Sequence, residues 1–179
     1  MKAILLDNVL SEHELYFMYD QLINIPNWSV GAKSTDNYKE KFLTAPMLAV
    51  KESKKEPVNL ALAVYGQSLV YRIGDILQKK KIGIPLILDR MWFNITYSGE
   101  RSQHWLHRDD DELHAVSILL FLTPVWQPEW RGSFYADGEE FKFKPGSAVI
   151  FNSNTWHTGE APDAAAHFWQ RLTCNIVVK

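Results

Sequence analysis

The chain has 179 residues, room for one domain with a core of its own. Its 19 basic and 21 acidic side chains leave a net charge of −2, which argues against a general nucleic-acid binder, and a hydrophobic share of 46% argues against disorder. The single cysteine, Cys174, excludes an internal disulfide and a thiolate zinc cluster and reads as a small core residue.

Residues 3–6 (Ala-Ile-Leu-Leu) read as a first strand. A helix follows: Ser11 can cap it, Glu14 completes a capping box, and Leu10 with Leu15 forms a hydrophobic staple. Leu15, Met18, Tyr19, Leu22 and Ile23 keep helical spacing as its inner face, and Pro26 ends it. Residues 29–57, rich in Ser, Thr, Asn, Lys and Glu, read as a long surface loop with one strand around Met47–Val50. Such a loop is either a lid over a site or a solvated connector. Pro57 suits the first turn of a second helix. Leu60, Ala61, Val64, Leu69, Ile73, Ile76 and Leu77 carry its apolar face to about Lys80. Gly66 and Gly74 weaken this helix, and Lys79, Lys80 and Lys81 complement its dipole.

From residue 86 the pattern changes to short strands, predicted at 90–97, 115–122, 132–136, 140–144, 147–151, 155–158 and 170–178. Phe141 and Phe143 alternate with Lys142 and Lys144, the mark of a half-buried strand. Asp137-Gly138 marks a tight hairpin and Pro145-Gly146 a further turn. Two helices followed by many strands predict an α+β chain, mainly β, with helices packed on an antiparallel sheet or sandwich. Residues 1–179 read as one domain. Residues 1–85 carry the first strand, the helices and the long loop, and residues 86–179 carry the β core. No apolar stretch approaches the roughly 18–20 residues of a membrane helix, and no signal-peptide pattern opens the chain. The expectation is a cytoplasmic protein with no membrane and no nucleic-acid partner.

The chemistry concentrates in His104-Trp105-Leu106-His107-Arg108-Asp109-Asp110-Asp111. His107 and Asp109 stand two apart, so on an extended chain both point to one side and can reach one metal ion. His157, after the strand opened by Pro145-Gly146, offers a second imidazole. Two histidines and one carboxylate form the donor set of facial-triad Fe(II) sites, which leave coordination positions open. The bland alternative is an acidic surface loop over Asp109–Glu112. Asp110 and Asp111 are expected in a solvated turn or a substrate-facing rim. Arg171 opens the apolar strand Leu172–Val178, where an inward guanidinium needs a carboxylate partner, and a ligand can supply one. Trp105, Trp126, Trp156 and Trp169 read as core rather than cleft walls. His104, His114 and His167 read as surface or partly packed, and Arg131 as a substrate contact or a cover for the Trp130 ring.

Taken in order, these segments resemble the 2-oxoglutarate- and Fe(II)-dependent dioxygenases, specifically the prolyl 4-hydroxylase-like branch. The resemblance is densest over residues 91–178. Tyr97-Ser98-Gly99 resembles the tyrosine and turn ahead of the first ligand, and His107-Arg108-Asp109 the metal-binding pair. Ser117 through Trp126 is similar to the buried strand that ends in a turn and a Trp. Pro145-Gly146 through His157 is similar to the strand before the distal ligand, and Arg171 to the basic residue that holds the far carboxylate of 2-oxoglutarate.

The resemblance implies a double-stranded β-helix, a cupin-like jelly roll, with N-terminal helices packed on one sheet. It implies Fe(II) on His107, Asp109 and His157, and 2-oxoglutarate held by Arg171 and Tyr97. O2 is the implied second co-substrate, with ascorbate as an accessory reductant. The implied activity is hydroxylation of a C–H bond in a peptide, protein or small molecule, with release of succinate and CO2. Three departures stand out. Arg171 follows His157 by fourteen positions because residues 163–170 lengthen a loop, Phe121 replaces a tyrosine of some relatives, and Trp130-Arg131-Gly132 carries an incomplete Gly-Gly pair. Val177 stands where nucleic-acid demethylases of this kind place a second arginine, and Asp109 is the carboxylate that halogenases lack. Two alternatives stay open: a cupin-like module that binds a metal or ligand without oxygenase activity, and an oxygenase of a free amino acid or other small molecule.

Overall fold

Local signals decide where the first helix begins. In a computed structural model, which describes residues 1–24, 28–30, 42–46, 60–97, 106–163, 166 and 169–179, helix α1 spans Glu12–Ile23. Ser11 Oγ accepts from the Glu14 amide, and Glu14 returns a carboxylate oxygen to the Ser11 amide at 2.9 Å. Leu10 and Leu15 are both buried, as the staple requires. Leu15, Met18 and Leu22 form the inner face, while Ile23 is exposed. Helix α2, Leu60–Lys79, buries Ala63, Leu69, Val70, Ile73 and Leu77. Ala61 and Val64, expected inside, face out, so the apolar stripe runs slightly off the predicted phase.

The strands are β1 (Ile4–Leu6), β2 (Ser29–Val30), β3 (Phe42–Pro46), β4 (Leu88–Thr96), β5 (Val116–Phe121), β6 (Phe134–Ala136), β7 (Glu139–Phe141), β8 (Ala148–Asn152), β9 (His157–Gly159) and β10 (Arg171–Val178). Among the described residues they form two antiparallel sheets, a major one ordered β1-β8-β5-β10-β4-β3-β2 and a minor one ordered β7-β6-β9. This is the mainly β, double-stranded β-helix layout, with helices on one side. The long polar stretch is not all loop. Strands β2 and β3 extend the major sheet beyond β4, a pairing that depends on the distant β4 edge and leaves little mark in the local composition. Pro26, Met47–Val50 and Pro57 lie outside the described residues.

Strand β5 is buried at all six positions, and its alternation divides the molecule. Val116, Ile118 and Leu120 join the core beneath the helices, with Ile150, Leu172, Cys174 and Ile176. Leu119 and Phe121 face the minor sheet and pack with Phe134, Phe141, Phe143 and Phe151. Cys174 thus sits in the helix-side core, where burial pushes its thiol far up from the ordinary value. The hairpin β6–β7 turns on Asp137 and Gly138, both at positive φ as a two-residue type I′ turn requires.

Candidate metal centre

Two remote segments meet through the backbone. The His107 amide donates to the His157 carbonyl and the His157 amide to the His107 carbonyl, each at 3.0 Å. This bridge adds the 107 segment to the minor sheet beside β9 and brings the two imidazoles together, with ring centroids 4.2 Å apart and ring planes tilted by 57°. The Asp109 and Asp110 amides both donate to Ser153 O, which turns Asp109 back toward the histidines. His157 Nε2 lies 3.6 Å from Asp109 Oδ1, and His107 Nε2 lies 4.0 Å from it. One donor atom from each of the three residues falls within 4.8 Å of the others.

The donor set fits a divalent first-row metal. His157 Nδ1 donates to Thr155 O at 2.9 Å, which leaves the Nε2 lone pair aimed at the centre. Ser117 Oγ donates to Asp109 Oδ2 at 2.6 Å and meets Ser153 Oγ at 2.9 Å, so one carboxylate oxygen is anchored and the other is available. Burial pushes the Asp109 carboxyl up, but His157, then Ser117 and His107, outweigh it and hold the carboxyl below its ordinary value. Burial pulls His157 down, yet Asp109 and the Thr155 carbonyl raise it above its ordinary value on balance. Both shifts come from the attraction between these two side chains, which a metal ion on the same donor atoms replaces.

Arg171 opens β10 and is only 4% exposed. Its cross-strand partner is Thr96, and the next residue on its face, Thr173, pairs with Asn94 and Phe121. Its Nε donates to Gly132 O at 2.8 Å, and its guanidinium lies 5.7 Å from the centre of the Phe143 ring. A buried guanidinium on the inter-sheet face has the chemistry to receive a carboxylate. Gly132 has no room for a side chain. Its φ is +79°, and a Cβ would lie 2.9 Å from the Trp126 ring and 3.2 Å from Arg171 Cδ. Arg131 keeps a glycine-like backbone, φ 60° and ψ −137°, and its guanidinium pairs with the buried Glu160 carboxylate. No Arg131 contact with the Trp130 ring occurs among the described residues, and the Arg131 side chain stays 47% exposed beside its Glu160 partner.

Tyr97 follows the end of β4, next to Thr96, the residue that pairs with Arg171, and is 41% exposed. Asp110 is not solvated. Its side chain is 1% exposed and receives Arg90 at 2.9 Å and Lys179 at 3.2 Å, while the same Arg90 nitrogen donates to Asp109 O at 3.0 Å. Asp111 is solvated, as expected. Trp156 is 54% exposed rather than core, because it lies across from Arg108 on the outer face of the bridge, with the guanidinium 4.4 Å above its ring. Trp126 and Trp169 are partly buried, the latter packed on Tyr19. The 163–170 stretch does turn: the Ala166 amide bonds Asp163 O and the Trp169 amide bonds Ala166 O. Ser98, Gly99, His104, Trp105 and His167 lie outside the described residues. The supporting pair Ser117 and Ser153 escaped sequence reasoning, although Ser117 is the one polar residue in the apolar run 115–122.

No protein-family model and no curated protein matches the sequence. Solved structures do match in shape. One is a 2OG-Fe(II) oxygenase family oxidoreductase from Burkholderia pseudomallei, with TM-score 0.66 and 14% identity over 98% of this chain and 84% of that one. A prolyl-4-hydroxylase from Pseudomonas putida gives TM-score 0.65 and 16% identity over 99% and 92%. A prolyl hydroxylase from Trichoplax adhaerens, solved with a hypoxia inducible factor oxygen degradation domain peptide fragment, gives 0.63 and 16% over 98% and 83%. With two helices on one side of a major sheet and a His-Asp-His cluster beside the minor one, the chain has the fold of the 2-oxoglutarate/Fe(II) oxygenases, prolyl 4-hydroxylases among them.

Proposed function

We propose that this protein is an Fe(II)- and 2-oxoglutarate-dependent dioxygenase that hydroxylates a C–H bond of a peptide, protein or small molecule. The observation that carries the reading is the pairing of a His107/Asp109/His157 donor cluster with the buried Arg171, both facing the space between the sheets. In this reading His107, Asp109 and His157 hold the metal, and Arg171 binds the far carboxylate of 2-oxoglutarate. Bound Fe(II) would couple oxidative decarboxylation of 2-oxoglutarate by O2 to hydroxylation, giving succinate and CO2. The chain's own groups do the positioning. Thr155 O keeps the His157 lone pair directed inward, and Ser117 keeps Asp109 from rotating away. Gly132 admits the Arg171 stem and fixes its Nε, so the guanidinium is oriented before a ligand arrives. Phe121, Phe134, Phe143 and Phe151 exclude water around these groups. Tyr97 would contact 2-oxoglutarate only if it turned in from its exposed position past β4.

The test is anaerobic addition of Fe(II) and then 2-oxoglutarate, followed by visible absorption. A weak charge-transfer band that needs both components, lost in Asp109→Ala, supports the reading. Succinate release on a panel led by proline-containing peptides then finds the substrate. Metal binding with no band and no effect of 2-oxoglutarate would refute the proposal and leave a jelly-roll binding module.

A further inference from the structure

We propose that Asn175 is a ligand-positioning residue that donates a hydrogen bond to the metal-proximal carboxylate of 2-oxoglutarate. The inference rests on the reading above and adds a residue to it. Strand β10 alternates strictly: Leu172, Cys174, Ile176 and Val178 enter the helix-side core. Arg171, Thr173, Asn175 and Val177 therefore face the space between the sheets. Asn175 lies between Trp92 of β4 and Leu119 of β5 as its cross-strand partners. Val177, two positions further on, pairs with Ser117, the serine that holds Asp109. Arg171 lies four positions back. On an extended strand these steps are about 7 Å and about 13 Å, so along β10 Asn175 stands between the row of the Asp109-anchoring Ser117 and Arg171, nearer the Ser117 row.

The side chain itself signals a missing acceptor. Asn175 Nδ2 is shielded from solvent and meets no hydrogen-bond partner among the described residues. A buried amide left in that state is costly and uncommon, and a strand this apolar would be more stable with a leucine there. An anionic oxygen carried by a ligand supplies what Nδ2 lacks. The two ends of a dicarboxylate would then be fixed by the metal and Arg171, and its orientation by the Asn175 donor. The acid end is the part within reach of a short side chain at this register.

The experiment is calorimetric titration of 2-oxoglutarate into the Mn(II)-loaded protein without O2, for wild type, Asn175→Ala, Asn175→Leu and Asn175→Asp. We expect unchanged Mn(II) affinity in Asn175→Ala and a loss of about 10-fold in 2-oxoglutarate affinity, the scale of one hydrogen bond to a charged group. The loss should be larger in Asn175→Asp, where a like charge replaces the donor. Metal-free Asn175→Ala and Asn175→Leu should melt no lower than wild type, since no bond within the protein is lost. The Fe(II)–2-oxoglutarate band should shift in Asn175→Ala. Wild-type affinity and an unshifted band in the variants, with 2-oxoglutarate bound normally by wild type, would overturn the role of Asn175 alone. A wild type that binds metal but no 2-oxoglutarate would overturn the functional reading and this inference with it.

Discussion

Ser117→Ala should weaken divalent-metal binding without unfolding the protein. The hydroxyl donates to Asp109 Oδ2 at 2.6 Å, a short bond to a charged acceptor. Bonds of that kind contribute about 1.5–3 kcal/mol, and outer partners of metal ligands change affinity by about 10- to 100-fold, which is the same range. Ser153 Oγ, 2.9 Å from Ser117 Oγ, can take over part of the contact, so the lower half applies: about 10- to 30-fold. Asp109 loses one of the groups that depress its pKa, so acid should weaken binding at a higher pH in the variant. Competition of Mn(II) against a chelator measures the affinity, and circular dichroism checks the fold. Ser153→Ala, one step further from the carboxylate, should lose less. A folded Ser117→Ala that binds Mn(II) within about twofold of wild type would show that Asp109 needs no anchor, and the proposed geometry would fall.

Three further outcomes are expected. Asp110→Asn removes one carboxylate from Arg90 and Lys179, which keep Asp89 and Glu112, and should lower stability by about 1–3 kcal/mol in urea unfolding. A small loss would mean that water reaches the cluster. Gly132→Ala combines a positive φ with contacts to Trp126 and Arg171, so it should cost more than about 1 kcal/mol in thermal melts and also weaken 2-oxoglutarate binding. Glu14 sits below its ordinary pKa because bonds from Ser11 and Arg72 outweigh its burial. Its contribution is therefore full above the ordinary value of 4.5 and fades as the pH falls through the lower folded value. Melting curves of Glu14→Gln should lie below wild type at neutral pH and converge with it in acid; a gap that persists in acid contradicts the Glu14 charge, held by Ser11 and Arg72, as its source.

The sequence made the skeleton of the site legible because strand chemistry is periodic. A histidine and an aspartate two apart, a histidine after a Pro-Gly-led strand, and an arginine heading an apolar strand each carry their own signal. Sheet order was not legible. Strands β2 and β3 take their place from the edge of β4, which no local window contains. Asp110 misled for a related reason. Within an acidic run it looks solvated, and only the fold brings Arg90 and Lys179 onto it from remote strands. Trp156 misled in the other direction, since bulk alone suggests burial while the register opposite Arg108 turns it outward.

Strand β5 has a consequence for how the protein can change. Its even-numbered side chains lock the helices down, and its odd-numbered ones, Ser117, Leu119 and Phe121, furnish the interior opposite. Strand β10 repeats the arrangement, with Cys174 on one side and Asn175 on the other. One residue's step along either strand moves from structural support to chemical surface. Selection can revise the odd series, altering the inter-sheet surface, while the even series keeps the chain foldable. Divergence confined to one face leaves the shape intact, so chains can share this fold at 14% identity.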